Sequence, residues 1–197
     1  MKRILLSMIV TLFVTLSLSA QQNVQLTNQV FQVIYSQQLQ QPIELIYRST
    51  NRPTNVNRGS MDFYTEKGII TSDGADYKTN VYDKGHLAPA ATFSDNMENL
   101  KQTFSYLNCA LQDQYMNRGE WRLLEEQERK WDDVEPLTIK VELVFGPKSI
   151  KLPTGATVPT DMVKHIHFEK SNKWRCFSFP NSKPTKPWEQ HEVKHKH

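Results

Sequence analysis

The chain has 197 residues, of which 38% are apolar and 23% are charged, and these proportions are typical of one globular domain with a core of its own. They exclude a low-complexity or fibrous chain. The formal charge of +3 is too small to attract a polyanion over the whole surface, so a nucleic-acid partner would have to be bound by a local cluster of Lys and Arg.

The first twenty residues have the layout of a secretory signal peptide. Lys2 and Arg3 precede an apolar run from residue 4 to residue 18, and Ala20 is the expected cleavage position. The run is short for a membrane span, although a retained anchor is the alternative. We therefore expect a secreted or periplasmic protein without membrane contact after cleavage. Loss of the two basic residues lowers the formal charge from +3 to +1.

Residues 21–30 are rich in Gln and Asn and are expected to form an exposed lead-in. The domain is predicted over residues 31–180, and residues 181–197 form a polar tail. Alternating or short apolar runs predict strands at 31–35, 43–47, 79–83, 137–145, 162–168 and 174–179, with a hairpin over 150–158. Two helices lie between these strands, so the predicted fold class is α+β, with a mostly antiparallel central sheet and packed helices.

The two helices are predicted from their caps and their apolar spacing. Asp95 with Glu98 resembles a capping box, which predicts a helix over 96–106. Asn117 is a favoured N-cap residue and precedes a second helical pattern. Because Asn117, Trp121 and Glu125 are spaced by four, an amide and a carboxylate can share one side of that helix.

The two cysteines, Cys109 and Cys176, allow two interpretations, a disulfide or free thiols. An oxidising compartment permits a disulfide between them. Cys109 also lies in an apolar stretch, where a buried free thiol packs well.

Histidines recur near the C-terminus. Alternation on a strand places His165 and His167 on one face, an arrangement that can bind metal but more often forms a solvated strand surface. His191, His195 and His197 lie in the tail and suggest weak, adventitious metal affinity at most.

The stretch from Tyr82 to Glu125 carries the chemistry. It combines His86, able to take a proton near neutral pH, with amide and carboxylate groups that suit a hard divalent cation. Cleavage of a phosphodiester needs a base for water and positive charge for the phosphate oxygens. A single histidine in a glycine-containing turn is a weak signal, but the ordered combination indicates metal-assisted hydrolysis.

That order is Asp83-Lys84-Gly85-His86, then Asn108, Gln112 and Asn117, and finally Leu124-Glu125. It resembles the DNA/RNA non-specific endonuclease family of ββα-metal nucleases, closely over residues 82–125 and more loosely over 31–179. The resemblance implies a ββα-metal (His-Me finger) motif in which the hairpin containing residues 83–86 faces the Asn117 helix.

The resemblance also implies roles for individual residues. It implies Mg²⁺ as the cofactor, with Mn²⁺ as an alternative, and DNA or RNA as partners bound through their phosphate backbone. The implied site consists of His86 as general base, Asn117 as metal ligand, Glu125 as the nearby carboxylate, Asn108 as a hydrogen-bonding residue lining the site, and Arg58 as the phosphate-binding arginine, with Arg52 as its competitor.

Two positions depart from the family pattern. Lys84 stands where Arg is commoner, which keeps the charge but loses the planar fork of donors. Leu111 replaces a proline before Gln112, which affects the geometry of the loop and removes no catalytic group.

The leading hypothesis is a secreted metal-dependent endonuclease with little sequence specificity. The alternative from another class is a catalytically silent module that binds nucleic acid or a partner on the same scaffold. A small structural domain stapled by its cysteines would leave the clustered polar residues unexplained. The preference for DNA or RNA and the oligomeric state stay open.

Overall fold

The computed structural model describes residues 23–195, and the predicted signal peptide lies outside them. Strands in chain order are β1 (Asn23–Thr27), β2 (Phe31–Ser36), β3 (Gln41–Ser49), β4 (Tyr82–His86), β5 (Cys109–Asp113), β6 (Leu137–Val144), β7 (Ile150–Lys151), β8 (Thr157–Val158), β9 (Asp161–Phe168), β10 (Lys173–Pro180) and β11 (Glu192–Val193). The helices are α1 (Met97–Thr103), α2 (Gln114–Met116) and α3 (Arg122–Asp132), and a π-helical turn (Asn117–Trp121) joins α2 to α3.

Within the described residues, seven strands form one antiparallel sheet in the order β1-β2-β3-β6-β9-β10-β11. In β6, buried residues alternate with half-buried ones, so one face of the sheet is apolar. Leu124 of α3 is buried in the same core cluster as Leu137, Ile139 and Val141 of β6. The predicted α+β class, with helices packed on a mostly antiparallel sheet, is confirmed.

A separate hairpin and the helix that follows it make up a ββα unit. β4 pairs antiparallel with β5, which places His86 opposite Cys109 and Gly85 opposite Ala110. The side chain of Gln41 on β3 accepts a hydrogen bond from the Leu111 backbone nitrogen at 3.0 Å and ties the hairpin to the sheet. α2 follows β5 without a loop, so the helix position is set directly by the hairpin.

Both helices begin at other residues than the sequence predicts. Asp113 caps α2, because its side chain accepts hydrogen bonds from two backbone nitrogens of the first turn. Asn117 therefore lies inside the helix, and the alternative in which it serves only as the helix cap is excluded. The cap of α1 is Asn96 rather than Asp95, and its side chain accepts from the Asn99 nitrogen at 2.8 Å.

Segments expected to lie outside the domain add a strand at each edge of the sheet. Residues 23–27, part of the expected exposed lead-in, pair with β2 as β1. Residues 192–193, part of the expected tail, pair with β10 as β11.

Over residues 23–195, both cysteines are free thiols, so the disulfide alternative is not formed there. Cys109 is fully buried and its thiol lies 3.2 Å from the hydroxyl of Tyr77. No helix of this region is long and apolar enough to cross a membrane.

Candidate active site

An open cleft of about 550 Å³ lies where the end of β4 meets the π-helical turn and α3. Four of the residues singled out in the sequence line this one cleft. They are Arg58, His86, Asn117 and Glu125.

The His86 ring is half-buried between aromatic side chains. The ring centroids of Phe63 and Phe104 lie 4.6 and 4.9 Å from its own, and Nε2 is buried without a hydrogen-bond partner among the described residues. Burial, with a smaller contribution from the charge of Arg58, lowers the pKa of His86 to about 3. The imidazole is therefore neutral at physiological pH and able to accept a proton.

Asp83 holds the first turns of the helix against the hairpin. Its carboxylate accepts a hydrogen bond from Asn117 Nδ2 at 2.9 Å and two from the guanidinium of Arg118, at 2.7 and 2.5 Å. Although burial opposes it, these hydrogen bonds hold the pKa of Asp83 below its usual value. Because the Asn117 nitrogen is engaged, Oδ1 is the side-chain atom left to bind a cation.

Glu125 of α3 also lines this cleft. Its Oε1 is buried without a hydrogen-bond partner within residues 23–195, and the Nζ of Lys164 is 3.8 Å away. Burial raises the pKa of Glu125 to about 7, and the charge of Lys164 opposes that rise.

Lys164 is fully buried beneath the cleft and is held from three sides. Its Nζ lies 2.8 Å from Glu128 Oε1, 4.4 Å from the Trp121 ring centroid and 3.4 Å from the Tyr47 hydroxyl. Tyr47 in turn donates to Glu128 at 2.7 Å. This network fixes a positive charge behind Glu125 and couples β9 to α3.

Asn108 does not line the cleft. It is fully buried, and within residues 23–195 its side chain bonds to backbone groups: Oδ1 accepts from the Ala88 nitrogen at 2.7 Å, and Nδ2 donates to the carbonyls of Ala88 and Thr103. Its backbone carbonyl also accepts from Leu87. Asn108 therefore fixes the chain directly after His86, which makes it a positioning residue behind the site.

The structure separates the two candidate arginines. Arg58 is exposed at the mouth of the cleft, with its guanidinium 5.6 Å from the Phe104 ring centroid. Arg52 donates to Asp95 at 2.9 Å and lines a different depression beside Asp132. The geometry thus favours Arg58 as the arginine that faces a ligand in the cleft.

Among the residues of this site, sequence reasoning gave no role to Phe63, Arg118 or Lys164. Arg118 directly follows Asn117 at the cleft, and this adjacency is the signal that could have found it. Lys164 appears in the sequence as one basic residue on a strand, and only its complete burial reveals its role. Lys84, at the departure from the family pattern, bonds both oxygens of exposed Asp62, at 2.6 and 2.8 Å.

Comparisons with known proteins show the family and the fold of this chain. The family model described as DNA/RNA non-specific endonuclease matches residues 11–197. Mitochondrial endonuclease G of Bos taurus is 33% identical over 76 residues. The matched region covers 37% of this chain and 25% of that protein.

A solved structure of the EndoG/EndoGI complex, described as showing the mechanism of EndoG inhibition, shares the fold. Its TM-score is 0.73 at 22% identity, over 86% of this chain and 80% of that chain. Because the family model spans most of the chain, the protein belongs to the DNA/RNA non-specific endonuclease family, a family of divalent-metal-dependent nucleases.

Proposed function

We propose that this chain is a secreted, metal-dependent endonuclease that hydrolyses phosphodiester bonds of DNA, RNA or both with little sequence specificity. The observation that carries the proposal is one cleft in which His86, Asn117 and Glu125 converge. Two polar atoms of this cleft, His86 Nε2 and Glu125 Oε1, are buried without hydrogen-bond partners within the described chain. Such atoms are rare in folded proteins and usually mark a position where a ligand, ion or water binds.

The donor atoms fit a hard divalent cation. Asn117 Oδ1 and the Glu125 carboxylate are oxygen ligands, which suit Mg²⁺ or Mn²⁺ better than a softer metal. Mg²⁺ often keeps several waters and takes one or two protein ligands, so Asn117 as the direct ligand with Glu125 nearby is sufficient. A bound cation would supply positive charge to the phosphate oxygens as negative charge builds up during cleavage.

His86 acts in this proposal as the general base. The neutral ring takes the proton of the attacking water, and the aromatic contacts with Phe63 and Phe104 hold its orientation. With a pKa of about 3 it is a weak base in the free protein. Burial is the larger cause of this low pKa, and a phosphate beside Arg58 would offset only the smaller contribution, the charge of Arg58.

Arginines around the cleft explain low sequence specificity. Those that line it among the described residues are Arg58, Arg118, Arg122 and Arg129. Arginine side chains bind phosphate oxygens through planar, bidentate hydrogen bonds. Contacts of this kind position the backbone of a nucleic acid and carry no base information.

The test is cleavage of plasmid DNA and of RNA by the wild type and by the variants His86→Ala and Asn117→Ala. We expect both variants to remain folded, as judged by circular dichroism, and to lose at least about 100-fold in rate, since each removes a group used in the reaction. His167→Ala, a histidine away from this cleft, should retain wild-type activity. EDTA should stop cleavage and added Mg²⁺ or Mn²⁺ should restore it.

Full activity in either variant would overturn the proposed mechanism. A wild-type protein that binds nucleic acid and leaves it uncut in the presence of both metals would instead be the catalytically silent module. For secretion, the mass of the protein recovered outside the cytoplasm is expected to correspond to cleavage after Ala20, and an uncleaved cytoplasmic chain would contradict that part of the proposal.

A further inference from the structure

A second group of metal-ligating side chains lies on the other face of the central sheet. One ligand atom from each of His165, Cys176 and His195 lies within 4.8 Å of the other two. The register pairs His165 directly with Cys176, and His195 follows two residues after Val193, which pairs with Cys176 from the other side. The proposed phosphodiester chemistry uses none of the three.

Strand alternation separates this group from the cleft. Lys164 and Ile166 of β9 are fully buried on the face that packs against α3, so His165 between them points to the opposite face. His165 and Cys176 share that face because they are directly paired. Neither Asn117 nor Glu125 can contribute to a site on this side of the sheet.

Two of the three distances within the group match tetrahedral coordination, and the third, between Cys176 and His195, is at most 4.8 Å. His165 Nδ1 is 3.2 Å from His195 Nδ1 and 3.5 Å from Cys176 Sγ. Zinc binds nitrogen at about 2.0–2.1 Å and sulfur at about 2.3 Å, so a tetrahedral site separates two nitrogens by about 3.3 Å and a nitrogen from a sulfur by about 3.6 Å. The two distances from His165 therefore suit an ion held by His165 with each of the other two residues, and His195 lies beyond the last strand, where it can approach Cys176 without movement of the strands.

Neighbouring side chains orient both imidazole rings. Glu142 Oε2 lies 3.4 Å from His165 Nε2, so a proton on Nε2 leaves the Nδ1 lone pair facing the cysteine. The Trp174 ring stacks on His195, with centroids 4.4 Å apart and an interplanar angle of 9°. Lys140, the nearby positive charge, is paired with Glu44 and Glu142 and so opposes a cation only weakly.

We propose that His165, Cys176 and His195 bind one Zn²⁺ ion, with the fourth position open to water. Sulfur and imidazole ligands select a softer ion than the oxygen ligands of the catalytic cleft do. Binding releases the thiol proton to water, and the thiolate becomes the sulfur ligand. The ion fastens the segment after β11 to the sheet, and this role does not depend on the proposed nuclease activity.

Cobalt substitution tests the site, because Co²⁺ bound to a thiolate absorbs light and Zn²⁺ does not. We expect one Co²⁺ per chain with a thiolate-to-metal absorption band, and complete loss of the band on adding one equivalent of Zn²⁺. Cys176→Ser should abolish the band. His195→Ala should weaken binding by at least about tenfold, since losing even an outer partner of a metal ligand costs that much.

Two matched controls separate this site from other thiols and histidines. Cys109→Ser removes the other cysteine, and His167→Ala removes the neighbouring histidine on the same strand face; both should bind Co²⁺ like the wild type. His195→Ala changes a residue beyond the last strand, so its result stands even if Cys176→Ser fails to fold. The proposal is overturned by a wild type without the band, by a band that depends on Cys109, or by unchanged binding in His195→Ala.

Discussion

Two titratable side chains of the candidate active-site cleft have their pKa values moved in opposite directions. Burial and the charge of Arg58 lower the pKa of His86 to about 3, whereas burial raises the pKa of Glu125 to about 7. Desolvation causes both shifts, because it disfavours the imidazolium cation and the carboxylate anion alike. Near neutral pH, Glu125 is therefore the member of this pair that changes charge.

We predict that the affinity for Mg²⁺ rises with pH through this range. Below a pH of about 7 the folded protein keeps Glu125 protonated, and its negative charge appears only as the pH rises past that value. The Mg²⁺ concentration for half-maximal cleavage should therefore fall between about pH 6 and pH 8, by at most tenfold per unit below the pKa. Metal titrations of plasmid nicking at several pH values measure this.

Glu125→Gln is the critical variant for that prediction, since an amide of the same shape cannot ionise. Its metal requirement should be higher than that of the wild type at pH 8 and nearly independent of pH. Glu98→Gln, an exposed change in the first turn of α1, should keep the wild-type profile. If Glu125→Gln also kept that profile, another group would be responsible for the pH dependence.

His86, Asn117 and Glu125 could be proposed from the sequence because short motifs of fixed spacing carry them. The positioning role of Asn108 could not be proposed from the sequence, because it depends on the hydrogen bonds that this buried side chain makes with the backbone of Ala88 and Thr103. The choice between Arg58 and Arg52 also depends on the fold. Both arginines lie in one polar loop, and only the fold places Arg58 at the cleft and Arg52 beside Asp95.

At the level of elements, the hairpin of β4 and β5 requires a glycine at position 85. A Cβ built there would lie 1.8 Å from Gln112 Oε1 and 2.3 Å from Gln112 Cδ. Gln112 cannot easily move away, because it is fully buried and its Nε2 lies 3.0 Å from the sulfur of Met162. The glycine of the Asp83–His86 motif is thus explained by packing, one residue before His86.

We expect Gly85→Ala to destabilise the protein by about 1–3 kcal/mol, the usual cost of inserting a methyl group into a filled core. Gly146→Ala is the matched control, because no atom lies within 4 Å of a Cβ at that glycine. Urea denaturation measures both. Gly85→Ala combined with Gln112→Ala should cost less than the sum of the two single changes, since the second removes the clash. Additive costs would show that Gln112 is not the obstacle.

The elements that the sequence missed have weak local signals. Every residue of β5 is buried, so its apolar pattern has no alternation that would distinguish a strand from a buried helix. β1 is an exposed edge strand of mostly polar residues, and β11 has two residues. The π-helical turn is a local irregularity at Gly119, whose φ of −105° and ψ of −111° follow no helical periodicity.

At the scale of the whole molecule, the C-terminal segment closes one side of the domain. Trp188 lies against Trp131 of α3, with centroids 5.9 Å apart, and against Phe177 of β10 at 5.6 Å. Its backbone nitrogen donates to Glu120 of the π-helical turn at 2.7 Å. The composition of the C-terminal segment predicts a polar tail. Instead, Trp188 of this segment covers apolar surface and contacts the helical region that contains Asn117.

We therefore expect Trp188→Ala to lower the free energy of unfolding by about 2–3 kcal/mol, somewhat less than the truncation of a fully buried tryptophan, because Trp188 is half-buried. Trp174→Ala is the control of the same residue type: Trp174 is 41% exposed on the opposite face, and its loss should cost less than about 1 kcal/mol. Chemical denaturation in EDTA measures both without any contribution from bound metal. A cost below about 1 kcal/mol at Trp188 would mean that packing by this segment does not stabilise the sheet.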